Sequence, residues 1–207
     1  GSALFQTADE YERLVANPIR DGEEMSKRQK VAAETQRGAI RLSQVNPESD
    51  PIDSVGGVSF RHLSMLAQIK SSDGDVWSSL NRSGHIEGDP SDSLRVRLAR
   101  MRSWIGGAHF PEDAKLEIRS EIGDDARAEI GEDGIAFLRK LSDLLSECEW
   151  TDAGIGESIS KACDSTGVSR KEGFASIYWA IIGRRHGPKA SSLLFEMDRG
   201  DIVSILG

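Results

Sequence analysis

The chain of 207 residues is short of several things, and each shortage removes a class of protein. It has two cysteines, Cys148 and Cys163, neither spaced with histidine as a zinc site requires, so no disulfide framework or metal is expected to hold it together. Both fall on apolar faces of predicted helices and read as buried thiols in a reducing compartment. No stretch approaches the ~18 uninterrupted apolar residues of a membrane helix, and the start lacks the basic residues and apolar core of a signal peptide. A soluble cytoplasmic protein without a membrane partner is therefore expected. No segment alternates β-branched or aromatic residues, and none recurs at a fixed period, so β content is expected to be close to nil. Positive charge is scarce in bulk: 26 Lys and Arg against 34 Asp and Glu give a net charge of -8. That balance excludes binding of nucleic acid by overall electrostatics and leaves room for a local basic site.

What remains is helical patterning and an uneven distribution of charge. Thr7 to Glu10 has capping-box spacing for a short helix that Pro18 would end. Residues 23–45 are rich in helix formers with a sparse apolar stripe at Val31, Ala32, Ala39, Ile40 and Leu42. Asn46 to Gly57 joins two prolines to two glycines, which breaks any periodicity and marks the main boundary. The expected division is a helical tail over 1–46, a linker over 47–57 and an all-helical domain over 58–207. Gly1-Ser2 reads as the remnant of a protease cut, so the chain is expected to be a piece of a longer one.

Beyond the linker the fold class is expected to be all-α, a bundle or cage of short amphipathic helices. Ser59 caps a helix with Phe60, Leu63, Leu66, Ala67 and Ile69 on its apolar side, and Asp75 the next, which Gly84 closes. Ser91 or Asp92 starts a helix whose Leu94, Leu98, Met101 and Ile105 share one face, ended by Gly106-Gly107. Pro111 opens a short helix through Ile118, and Asp133 caps one with Ile135, Leu138, Leu141, Leu145 and Cys148 inward. Thr151 or Asp152 begins a helix that stops at Gly167, and Ser169 to Glu172 is a second capping box for a helix that Gly183 ends.

Most candidate chemistry gathers at Gly183-Arg184-Arg185-His186-Gly187-Pro188-Lys189. Arg184, Arg185 and Lys189 lie beside a predicted helix start, where free N–H groups also attract anions, so together they suit an RNA phosphate; surface salt bridges to the acidic helices are the alternative. His186 has no carboxylate or nucleophile in the sequence to make it catalytic, and either caps a helix or touches RNA. Gly187-Pro188 is read as the bend and first turn of the next helix. Trp179 points away from the Ile177–Ile181 face and is the better stacking platform for an unpaired base, whereas Trp77 and Trp104 read first as core. Trp104 stays a candidate because it lies in the arginine-rich helix, and Arg61, Arg97 and Arg100 are secondary candidates, beside Arg95 and Arg102. The acidic runs between Glu112 and Asp133 lack calcium-loop spacing and read as a solvated face.

GVSFRHLSMLAQI (57–69), RGAIRLSQ (37–44) and the segment from Tyr178 to Ala190 stand in the order in which similar segments occur in the C-terminal anticodon-binding region of class I lysyl-tRNA synthetase, and the chain resembles that family over almost its whole length. The resemblance implies that residues from about Phe60 onward form a helical cage gripping the tRNA anticodon stem-loop, and that residues before Asn46 end a stem-contact region. It also implies an upstream catalytic domain in the same chain, which uses ATP with magnesium to ligate lysine to tRNA. This piece would then hold no catalytic, cofactor or metal residue and be inactive alone. Met25-Ser-Lys-Arg28 is not read as the KMSKS-like signature of that family's catalytic domain, because it runs on into a helical Gln/Ala/Glu stretch. Two alternatives remain: the matching domain of a glutamyl-tRNA synthetase, which FRHLSMLAQI and GRRHGPKA argue against, and a non-catalytic helical protein-interaction module.

Overall fold

The computed structural model describes residues 2–16, 25–42 and 57–207, and among them lie ten α-helices and one short 3-10 turn with no strand, an all-α protein as expected. They are α1 (Ser2–Ala16), α2 (Lys27–Leu42), α3 (Phe60–Ile69), α4 (Asp73–Arg82), α5 (Asp92–Ile105), α6 (Asp124–Glu147), α7 (Asp152–Thr166), α8 (Arg170–Ile182), α9 (Ala190–Phe195) and α10 (Arg199–Leu206). The chain falls into two compact units, Gly1–Lys115 and Leu116–Gly207. Pro18, the expected end of the first helix, and the linker 47–57 apart from Gly57 lie outside the described residues.

Capping hydroxyls set most of the helix starts. Ser59 accepts from the His62 amide, Ser91 from Leu94, Thr151 from Gly154 and Ser169 from Glu172, each satisfying one of the N–H groups that a helix leaves without an internal partner. Four expectations shift. Thr7 lies inside α1, its hydroxyl donating to Ala3 O, because the helix begins at Ser2. The α4 cap is Ser72, and Asp75 is the third helical residue, whose carboxylate accepts from Ser72 to complete a capping box. Pro111 opens only the 3-10 turn Glu112–Ala114. Asp133 lies within α6, which starts at Asp124 and kinks at Gly131. At Met25 to Arg28, Ser26 and Gln29 bond one another across the first turn of α2, so this stretch is a helix start.

In unit 1, α3 packs against α5, α4 and α1 around Leu63, Leu66, Val76, Leu80, Leu94 and Leu98. Along α2 only Ile40 of the expected stripe is buried, joined by Ala33, while Val31 and Leu42 are exposed. In unit 2, α6 is the central helix and touches α7, α8 and α10. Its inward residues are Phe137, Leu138, Leu141 and Leu145, with Ile135 only half-buried, and they meet Ile155, Ile177, Ile181 and Ile202 in one core. The Ser142 hydroxyl donates to Val203 O at 2.9 Å and ties α6 to α10. Helix α9 is not amphipathic: five of its residues, Ala190, Ser191, Leu193, Leu194 and Phe195, are buried.

Candidate nucleic-acid interface

The basic corner of unit 2 begins where α8 stops. Gly183 adopts the left-handed conformation (φ 62) and its N–H donates to Trp179 O, a glycine C-cap. The segment before α6 passes beneath this cap, and the Arg119 N–H donates to Ile181 O at 2.8 Å, satisfying a carbonyl that the helix end leaves over. The Arg119 guanidinium lies flat against Gly183, close enough that a Cβ there would collide with it. Its two terminal nitrogens grip both oxygens of Asp125 at 2.8 and 2.7 Å, a fork-to-fork pair. Those hydrogen bonds hold the Asp125 carboxyl down at about 2.

The far side of the corner is tied as well. Gly187 presses on the Tyr178 ring, where a Cβ would stand 2.8 Å from Cδ1 and 2.7 Å from Ile182 Cδ1. The Tyr178 hydroxyl, pushed to higher pKa by burial, donates to Pro188 O. Lys189 Nζ donates to Asp152, which also accepts from the Ser192 hydroxyl at 2.8 Å. Burial opposes ionisation of Asp152, yet Lys189, Ser192 and Ser191 hold its carboxyl below the usual range. Pro188 precedes the N-cap Lys189 and so lies outside the first turn of α9, a correction to its expected place; the Tyr178 bond explains why it is held there. No side chain caps α9, so the capping role considered for His186 is not realised.

Between these ties the chain presents Arg184, Arg185 and His186. Arg185 and His186 are exposed and Arg184 is half-buried. The Glu172 carboxyl is lowered chiefly by Ser169, with Arg185 adding to the pull from the corner side. Trp179 is half-buried on α8. Of the expected corner residues, Lys189 thus serves as a tie between α9 and α7, whereas Arg184 and Arg185 stand together on the stapled loop.

The remaining candidates belong to unit 1. Arg61 Nε pairs with Asp9 at 2.6 Å, and its guanidinium stands 5.2 Å over the Phe5 ring. Arg97 donates to Val58 O at 3.3 Å and reaches Glu12 at 3.4 Å. Burial raises the Glu12 carboxyl against the pull of the Phe60 amide and Arg97. Trp104 is half-buried in an aromatic cluster, 4.7 Å from Phe110, 5.9 Å from Phe60 and 6.2 Å from Phe5. Arg102 clasps Ala67 O, Lys70 O and Asp73 at the end of α3, while Arg95 and Arg100 are exposed. Sequence reasoning missed Arg119. It lies in an acidic, aperiodic stretch, and neither its pairing with Asp125 nor its place under Gly183 leaves a mark in the pattern.

No group of three or more His, Cys, Asp or Glu among the described residues could hold a metal ion, and no helix among them is long and apolar enough to cross a membrane. Curated relatives of the chain include the lysine--tRNA ligases of Pyrococcus horikoshii, 24% identical over 80% of this chain and 32% of that protein, and of Thermoplasma volcanium, 24% identical over 100% and 38%. The lysine--tRNA ligase of Methanopyrus kandleri is 27% identical over 92% of the chain and 34% of its own length. The chain spans about a third of the length of these relatives, and the resemblance read from its sequence is borne out. A profile of the anticodon binding domain matches residues 83–202, more than half of the sequence, and the chain belongs to that family.

Proposed function

We propose that the chain is the tRNA-binding part of a lysine--tRNA ligase and recognises the anticodon stem-loop, with residues 58–207 as the recognising region. The observation that carries this reading is the pair of consecutive arginines, Arg184 and Arg185, on a loop tied by Arg119, Tyr178 and Lys189 in an otherwise acidic protein. Consecutive arginines on a held backbone suit phosphate oxygens, which accept paired N–H donors. Acidic surface elsewhere repels RNA and confines it to the basic side.

In the proposed parent enzyme an upstream domain of the same chain carries ATP-dependent activation of lysine, with magnesium, in the cytoplasm. The residues of this chain are assigned no chemical step. Their work is to bind and to position. Arg184 and Arg185 hold the backbone, and Trp179 offers an aromatic face to an unpaired base.

Filter binding with an unmodified lysine tRNA transcript and an unrelated hairpin of equal length tests the proposal. Tighter binding of the transcript, lost in Arg184→Ala/Arg185→Ala, supports it. Equal binding of the two RNAs, or no response to the double substitution, would return the chain to a helical protein-interaction module, the reading that the Lys189–Asp152 and Arg61–Asp9 pairs favour.

A further inference from the structure

From its place beneath the α8 cap, we infer that Arg119 is a positioning residue for the basic corner: it fixes the direction in which Arg184 and Arg185 leave the helix, and does so without itself contacting RNA. This rests on the proposed RNA-binding role of the corner. Three observations carry it. The Arg119 amide holds Ile181 O, two residues before the cap, so the backbone of the preceding segment is stitched to the end of α8. The guanidinium plane occupies the space where a side chain at Gly183 would go, so the turn is supported from below at the residue immediately before Arg184. The plane itself is fixed, because both terminal nitrogens are engaged by Asp125 in the first turn of α6.

That engagement also argues against direct contact. A guanidinium whose fork already grips a carboxylate has its bidentate face filled, and its charge is neutralised at close range, so it offers a phosphate little that water does not. Arg184 and Arg185 follow Gly183 directly in the chain. Displacing Arg119 therefore loosens a left-handed turn from one side and lets the next two residues sample other directions. A phosphate contact that depends on two side chains converging is sensitive to small misplacements of this kind.

The experiment compares wild type, Arg119→Ala, Arg119→Lys, Arg184→Ala/Arg185→Ala and the triple variant in binding of the lysine tRNA transcript over a range of salt. Arg119→Ala should weaken binding about tenfold, a typical coupling between neighbouring groups. Lysine should not rescue it, since a point charge cannot fill the planar space under Gly183. In the Arg184→Ala/Arg185→Ala background, removing Arg119 should change neither affinity nor salt slope. An additive loss there, with the slope falling by a further ~0.7 to 0.9 as for one more phosphate contact, would make Arg119 a direct ligand and overturn the inference. Amide exchange supplies a reading that needs no RNA: the Gly183 amide, which donates to Trp179 O, should exchange at least about tenfold faster in Arg119→Ala, while the core of α6 keeps wild-type protection. Unchanged exchange at the corner overturns the inference whether or not RNA binds. Absence of transcript binding by the wild type defeats the proposed function alone.

Discussion

Gly183 and Gly167 offer a controlled comparison between two helix ends. Both adopt the left-handed conformation at the end of a helix, with φ of 62 and 74. A Cβ added at Gly167 meets nothing within 4 Å, whereas one at Gly183 runs into the Arg119 guanidinium. Alanine at either site pays the left-handed penalty of about 1 to 2 kcal/mol. At Gly183 it must also displace the end of the Arg119 side chain, which can swing aside only by loosening its pair with Asp125, so a further, smaller loss is added. Gly167→Ala should thus destabilise by about 1 to 2 kcal/mol and Gly183→Ala by measurably more. Urea unfolding followed by circular dichroism, with the slope m checked for constancy, measures both. A double-mutant cycle separates the contributions: in an Arg119→Ala background the obstruction is gone, and the effect of Gly183→Ala should fall to that of Gly167→Ala. Equal losses at the two glycines, or a Gly183→Ala effect indifferent to Arg119, would refute the placement of the guanidinium under the cap.

Other outcomes follow from the same structure. Phe137 is fully buried at the centre of unit 2, and Phe137→Ala should destabilise by about 3 to 5 kcal/mol in the same unfolding assay. Ser169→Ala removes the hydroxyl half of the α8 capping box and should cost about 1 kcal/mol, visible also as faster amide exchange in the first turn of α8. The Asp125 carboxyl is depressed in the folded protein from 3.8 to about 2, so its contribution is fully present above pH 4 and is lost as pH falls toward about 2. Asp125→Asn should therefore flatten the stability profile between about pH 4 and pH 2 and leave its shape above pH 5 unchanged. A profile as steep as wild type across that window would show that Arg119 does not hold the carboxylate.

The elements that the sequence made legible are those whose ends carry a chemical mark. Ser59, Ser91, Thr151 and Ser169 each place an oxygen where a helix has spare N–H groups, and Gly167 and Gly183 each supply a left-handed stop, so α3, α5, α7 and α8 were readable to within a residue. The first turns of α6 were not, because Gly123 caps without a side-chain bond and Gly131 interrupts the helical backbone after seven residues. Acidic residues there gave no apolar period to follow. Phe137 escaped notice for a related reason: the kink resets the phase, so a face drawn through Ile135 takes in a half-buried residue and passes over the most enclosed ring of the unit.

Within the site, Arg184, Arg185 and the glycines around them were visible as a basic cluster broken by turn residues. Their supports were not. Asp152 stands 37 positions from Lys189, and Asp125 and Arg119 stand 58 and 64 positions from Gly183, and they reach the corner through contacts that only the packing of α6, α7 and α8 creates. The same packing decides what Lys189 does. As one basic residue among several it could not be told from a phosphate ligand; its bond to Asp152 makes it a strut.

The central claim is that the stapled corner meets the anticodon stem-loop, and nuclease footprinting of the lysine tRNA transcript tests it most directly. The account predicts protection of the anticodon loop and its flanking phosphates by wild type, lost in Arg184→Ala/Arg185→Ala while the protein stays folded. Protection confined to other parts of the tRNA, or an anticodon footprint that survives the double substitution, would contradict it.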